Sequence, residues 1–287
     1  MDAPLSHKLA ALRDNLRKFG SLVVAFSGGV DSAFLLKVAH DVLGGRAMAV
    51  TAHSPALPHR ELREAETFAR ALGVDHVIIR TDEFTLSDYV DNPPDRCYFC
   101  KREIFTQISM IATQHGLHRV ADGSNVDDRG DYRPGMRALR ELGVVCPLNE
   151  AGLGKQDIRL LSRQMGLPTW DKPARACLSS RIPYGQKITR EKIAAIDKAE
   201  AFLLGLGFRQ VRVRYHGDIA RIEVSKEERQ RFFDSTLMDK IAATLKQYGF
   251  SYVTLDLQGY RTGSLNEVIE DAGATPALNY HGEISED

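Results

Sequence analysis

The sequence predicts an α/β protein: a doubly wound parallel sheet followed by a second, smaller α/β domain. Three observations carry this. Short β-branched runs alternate with helical periods through the first half of the chain, a Gly-Gly pair stands at the first strand-to-helix junction, and after Thr189 the order becomes helix, strand, strand, helix, strand. At 287 residues and 43% hydrophobic content there is ample core for both. Lys+Arg and Asp+Glu are equal at 38 each, so overall charge gives no drive toward nucleic acid or a membrane surface. No signal-peptide core is visible, and no apolar run approaches the ~18 residues of a bilayer span. A soluble cytoplasmic protein is expected, with neither nucleic acid nor membrane as partner. In that setting Cys97-Tyr98-Phe99-Cys100 is read first as metal or redox chemistry rather than as a disulfide.

Taken in order, Leu5, Leu9, Leu12, Leu16 and Phe19 predict a helix over 3–19 that Gly20 stops. Leu22 to Phe26 is a strand, and residues 33–43, apolar on nearly every side, form a helix buried against a sheet. Arg46 to Ala52 is a second strand, Leu62 to Leu72 a helix closed by Gly73, and Val74 to Ile79 a third strand. Residues 80–96 are irregular and deliver the cysteine pair, with Pro93-Pro94 marking a loop; a helix follows over 101–115 and a strand over 118–121. Cys146 sits between a valine pair and Pro147 as a small packed residue. Ile158, Leu161 and Met165 make a short amphipathic helix ended by Gly166.

Between the first strand and its helix stands Ser27-Gly28-Gly29-Val30-Asp31-Ser32. Two glycines let backbone approach a ligand, while the helix N-terminus and two hydroxyls point at it, which makes an anion cradle. It is neither the Gly-Lys-Ser/Thr phosphate loop nor the dinucleotide fingerprint, so no lysine is expected to reach a γ-phosphate. Ser-Gly-Gly-x-Asp-Ser after a first strand resembles the PP-loop of the ATP pyrophosphatases (adenine nucleotide alpha hydrolase-like). In that class the loop holds the pyrophosphate part of ATP, and AMP passes to an oxygen of the substrate.

Other polar stretches end strands or form shaped loops, where parallel sheets keep their ligands. Thr51, with its neighbours to Ser54, is a candidate for base and ribose. Asp122, Gly123, Asn125, Asp128 and Arg133, in the loop running to Gly135, are candidates for ATP, Mg²⁺ or substrate. An EF-hand is excluded there, because Arg129 holds an acidic position and no glutamate closes the loop. The segment 170–185, with its prolines, serines and Cys177, makes no core element. In the small domain helices are expected over 190–205 and 226–247, and strands over 210–215, 219–224 and 252–257. Alternation puts Arg212 and Arg214 on one face, ~7 Å apart, where they suit a phosphate or else pair with Glu223 or Asp218 on a solvated edge strand. The division expected is 1–186 for the phosphate-loop domain, 187–270 for the small domain, and 271–287 as a disordered tail.

With the phosphate loop, the 122–135 stretch, Cys177-Leu178-Ser179-Ser180-Arg181 and the 211–216 strand in hand, the chain resembles the LarE family over residues 5–266. These are ATP-dependent sulfur transferases of nickel-pincer nucleotide synthesis, whose product leads to the cofactor of lactate racemase. The resemblance implies adenylation of the carboxylates of pyridinium-3,5-biscarboxylic acid mononucleotide and their conversion to thiocarboxylates. One branch of the family sacrifices the sulfur of a single cysteine at the position of Cys177. The other holds a [4Fe-4S] cluster on three cysteines at the positions of Cys97, Cys100 and Cys177, and its fourth iron carries exogenous sulfide. This sequence has all three and resembles the cluster type. The resemblance further implies Ser27 to Ser32 for pyrophosphate, Asp31 near Mg²⁺, Ser180 and Arg181 beside the reaction centre, and Arg212 and Arg214 for the substrate phosphate. Glu200 and Glu223 match acidic family positions, whereas a further family aspartate has no clear counterpart here, with Arg231 or Asp234 nearby. A homo-oligomer, with the hexamer as one option, and inorganic sulfide or another sulfur donor are the implied partners.

Two other readings stand beside this one. A tRNA-thiolating enzyme would combine the same loop with clustered cysteines, but no basic stripe interleaved with aromatics runs through the chain. A zinc module would leave the phosphate loop unexplained and would need a fourth protein ligand.

Overall fold

The computed structural model describes residues 3–130, 134–173 and 176–261. The first elements are α1 (Ala3–Phe19), β1 (Leu22–Ala25), α2 (Val30–Leu43), β2 (Ala47–His53), α3 (His59–Leu72) and β3 (Asp75–Arg80). There follow α4 (Ser87–Val90), α5 (Arg96–Gln114), β4 (Val120–Ala121), α6 (Gly135–Glu141), α7 (Pro147–Glu150), α8 (Lys155–Gln164) and α9 (Arg190–Gly205). Last come β5 (Val211–His216), β6 (Ile219–Val224), α10 (Ser235–Gln247) and β7 (Tyr252–Leu255). Two compact units divide the chain, Met1–Lys198 and Ala199–Asp287.

In the first unit the strands are ordered β3-β2-β1-β4 and every pairing is parallel. Period 2 serves both faces. Val24, Ala47 and Ala49 enter one core with Leu12 and Leu16 of α1, Leu35 and Leu36 of α2 and Ala69 of α3, while Val23, Met48 and Val50 enter another with Phe105 and Ile108 of α5 and Leu139 of α6. Helices on both faces force the near-continuous apolar strands read in the sequence. The strand order reverses at β1, between β2 and β4, and a parallel sheet opens its ligand crevice at such a point, beyond the strands' carboxyl ends. The Ser27–Ser32 loop and the Asp122–Asn125 segment both start there.

Two elements differ from the sequence expectation. The cysteine pair is not delivered by a loop: Pro93 and Pro94 turn the chain and α5 begins at Arg96, so Cys97 lies on its first turn and Cys100 opens the next. The helix expected over 226–247 is shortened. Residues Arg229–Phe233 form a 3₁₀ turn, and Asp234 accepts from the Leu237 amide at 3.2 Å to cap a fresh start at Ser235.

In the second unit β5 pairs antiparallel with β6, and β6 parallel with β7. Val211, Val213, Ala220, Ile222 and Val224 are buried, as are Leu203, Ile241 and Leu245 of the helices. No helix among the described residues is long and apolar enough to cross a membrane. The expected disordered tail, 271–287, lies outside the described residues.

Candidate active site

The phosphate loop is shaped largely by its own residues. Ser32 Oγ lies 3.2 Å from Ser27 Oγ and donates to the Gly29 carbonyl at 3.3 Å, and Ala33 N–H donates to the same carbonyl at 3.0 Å, which starts α2 at Val30. Gly28 has φ +69, and a Cβ there would meet Ala65 Cβ at 3.2 Å, so the turn needs glycine for conformation and for space. Gly123, after β4, is pressed on the same turn, since a Cβ there would lie 3.1 Å from Ser32 N. Thr51 is placed differently from expectation. Its buried hydroxyl donates to Phe26 O at 2.6 Å and meets His76 Nε2 at 2.8 Å, supporting the loop from beneath rather than facing the crevice.

Asp31 holds the loop's only carboxylate. Burial raises its pKa, the Asp128 charge adds to that, and Lys155 opposes both from 2.5 Å. The other oxygen, Oδ1, is buried with no hydrogen-bond partner. An orphaned carboxylate oxygen at a phosphate loop has the chemistry of a ligand for a hard cation such as Mg²⁺.

Two lysines reach this loop from far along the chain, although no local motif supplies one. Lys155 opens α8, whose start is fixed when Asp127 accepts the Lys155 amide at 2.6 Å and Leu153 O accepts the Val126 amide at 3.1 Å. Lys172 donates to Gly28 O at 2.7 Å and pairs with Glu64 at 2.6 Å. Tertiary structure thus brings two lysines to the loop, and only the Gly154-Lys155 helix start could have hinted at the first.

Around the crevice mouth, burial alone would push Asp122 up. Lys101 at 3.1 Å and the Ser124 hydroxyl and amide outweigh it and hold the carboxyl below the usual range. Lys101 stands one helical turn after Cys97, so one helix face carries both. Asn125 and Asp128 are joined, the Asn125 amide donating to Asp128 Oδ2 at 2.9 Å. Arg133 lies outside the described residues.

Cys97, Cys100 and Cys177 meet electrostatically. Burial pushes the Cys97 thiol up and the Cys177 charge pushes it further; Cys100 is pushed well up by burial, then by Glu83, Cys177 and Cys97. Raised thiols are the reverse of a redox nucleophile with a low pKa, despite the helix-start position. Two buried thiols whose ionisation burial and the neighbouring sulfur of Cys177 oppose make a donor pair that a cationic centre would relieve. Among the described residues no three His, Cys, Asp or Glu side chains converge on a single metal ion. Cys146 stands apart from this set, packed against the α5 and α6 core, with its thiol pushed up to about 11 chiefly by burial.

Cys177 itself is exposed, and its backbone is held from behind. Arg181, 2% exposed, donates to Ala176 O at 2.7 Å, Cys177 O at 2.8 Å and Ser180 Oγ at 2.9 Å, while Ser180 Oγ donates to Cys177 O at 2.8 Å. Ser180 and Arg181 therefore orient the cysteine loop.

In the second unit, the arginine face is not solvated. Arg212 and Arg214 are both buried, and Arg214 makes a two-pronged pair with Glu223 at 3.0 and 2.9 Å. Arg221 adds a third bond to Glu223 at 3.0 Å, and Arg212 lies over the Tyr260 ring at 5.3 Å. Glu200 accepts the Val213 amide at 3.0 Å on the edge strand. Asp234 is taken by its helix cap, and Arg231 donates to Leu206 O at 2.7 Å.

Residues 9–126 match the asparagine synthase family model. The chain is 44% identical to an uncharacterised protein of Synechocystis sp., over 92% of this chain and 99% of that one. It is 39% identical to the pyridinium-3,5-bisthiocarboxylic acid mononucleotide synthase of Lactiplantibacillus plantarum, over 94% of this chain and 98% of the relative. A tRNA-specific 2-thiouridylase of Rickettsia africae is 25% identical over 54% of this chain and 53% of its own length.

Proposed function

The chain belongs to the family of the pyridinium-3,5-bisthiocarboxylic acid mononucleotide synthases, the LarE sulfur transferases, and from that premise we propose that it activates carboxylates of a pyridinium mononucleotide with ATP and converts them to thiocarboxylates. The observation that supports this reading is the Ser27–Ser32 loop with the orphaned Asp31 carboxylate oxygen, in the same unit as Cys97, Cys100 and Cys177. A substrate carboxylate oxygen attacks the α-phosphorus of ATP, the bond to the β-phosphate oxygen breaks, and pyrophosphate leaves. Sulfide then displaces AMP from the acyl carbon.

The loop amides and hydroxyls from Ser27 to Ser32 cradle the pyrophosphate, and Asp31 offers its orphaned oxygen to Mg²⁺. Lys155 and Lys172 add positive charge beside the departing pyrophosphate. Gly123 keeps the β4 segment against the loop, Asp122, Asn125 and Asp128 line the approach, and the family resemblance gives Arg133 a substrate contact. Cys97, Cys100 and Cys177 are the residues that would hold a [4Fe-4S] cluster. When bound, such a cluster would supply thiophilic iron able to take up exogenous sulfide. Arg181 and Ser180 keep Cys177 facing outward. Arg212 and Arg214 anchor the substrate phosphate, with Glu223 fixing the Arg214 guanidinium. The molecule works as a homo-oligomer.

The test is product analysis with ATP and the biscarboxylic mononucleotide. Pyrophosphate and AMP should appear in step with thiocarboxylate, and release of ADP and phosphate instead would remove the adenylation mechanism.

A further inference from the structure

Asn92 is wholly buried and has φ +56, and no other non-glycine residue among the described ones has positive φ. A side chain in that conformation is unfavourable, so the position asks what the amide does there. Its nitrogen donates to Pro183 O at 2.7 Å and Gln186 O at 3.0 Å, with Ile182 O at 3.3 Å. Its oxygen accepts from Arg96 Nη1, and its backbone carbonyl accepts the Gly185 amide at 2.9 Å. One residue thus joins two stretches that are distant in sequence.

Each stretch leads directly to a cysteine. Arg96 precedes Cys97 at the start of α5, and residues 182–186 follow the 3₁₀ turn Leu178–Arg181, which begins at Cys177. Nearby links run between the same segments. Tyr89 OH bonds Ser179 Oγ, the buried Arg96 guanidinium lies over the Tyr184 ring at 5.3 Å, and the Ile188 amide donates to Val90 O at 2.9 Å. Asn92 is the one whose amide engages both sides at once, through its donors on one and its acceptor on the other.

We propose that Asn92 is a positioning residue that fixes the Cys177 loop against the helix turn bearing Cys97 and Cys100, so that the three sulfurs are set in place before any iron arrives. The inference rests on the reading that these cysteines act as one centre. Asn92→Asp keeps the shape but turns a donor into an oxygen facing three carbonyls. Asn92→Gly accepts the same φ and removes the amide, and it is the variant to use where the aspartate protein does not fold.

The experiment treats the full chain, before iron is added, with a short two-armed thiol reagent and maps the cross-link by mass spectrometry. Iron retained per chain after anaerobic reconstitution and ATP affinity are measured in parallel. Wild-type protein should join Cys177 to Cys97 or Cys100. The Asn92 variants should lose that product and hold iron about tenfold more weakly, with ATP affinity within about twofold of wild type. Wild-type protein that cross-links but takes up no iron removes the cluster while the positioning role stands, provided the variants lose the product. A folded variant that cross-links and keeps iron like wild type overturns the proposal, as does wild-type protein that gives no Cys177 cross-link.

Discussion

The phosphate loop and the proposed three-cysteine site lie in the same unit and are built in opposite ways. Six consecutive residues make the loop, and the hydroxyls of Ser27 and Ser32 and the carbonyl of Gly29 hold one another. The proposed cysteine site joins a helix start to a distant loop; Asn92 and Arg96, which carry no sulfur, hold the two together, and Arg181 holds the loop's own backbone. The difference teaches where sensitivity lies. A contiguous site fails when one of its own residues changes, whereas an assembled one also fails when a clamp changes.

Asp31→Ala should have the largest effect. It removes the loop's only carboxylate, and pyrophosphate release should fall on the order of 10²–10³-fold, the loss typical of one transition-state charge contact. A smaller loss would mean that the lysines, rather than Asp31, dominate the loop, and the picture of a self-sufficient site would break.

Next in size is Arg212→Ala in the second unit. A charge-assisted bond to phosphate is worth roughly 1.5–3 kcal/mol, so substrate KM should rise about tenfold or more with KM for ATP little changed. Equal rises in both would show that the substitution perturbs folding instead. The smallest change expected is for Lys155→Met. The lysine is one-third exposed and partly screened, with side-chain exposure of 33%, so KM for ATP should rise only about fivefold. An effect as large as that of Asp31→Ala would mean that the loop, like the cysteine site, depends on residues brought from afar.

The same contrast explains what was legible in the sequence. The Ser27–Ser32 loop could be read because strand, turn and helix are local and each residue has a local reason, and the β1–α2–β2–α3–β3 order followed from periodicity alone. Cys97 and Cys100 were visible by spacing, but their place on α5 was not, since Pro93-Pro94 reads as a loop and the helix starts at Arg96. Lys155, Lys172 and Asn92 were invisible as site residues because only tertiary packing brings them there. Thr51 shows the reverse: a hydroxyl at a strand's carboxyl end looks available, yet Phe26 O already holds it. The arginine face was legible by alternation, but its burial and the Glu223 pairing depend on what covers and opposes the strand.

The central claim, that Cys97, Cys100 and Cys177 act as one reusable sulfur centre, is tested most directly by counting thiocarboxylates formed per chain. The assay is anaerobic, with excess sulfide, ATP and the biscarboxylic mononucleotide, and the protein is weighed afterwards. Wild-type chain and Cys146→Ala should each form several thiocarboxylates per chain and keep their mass, while Cys97→Ala, Cys100→Ala and Cys177→Ala should lose repeated turnover. Wild-type protein that stops after one sulfur and has lost the mass of H₂S, with dehydroalanine at position 177, would contradict the account.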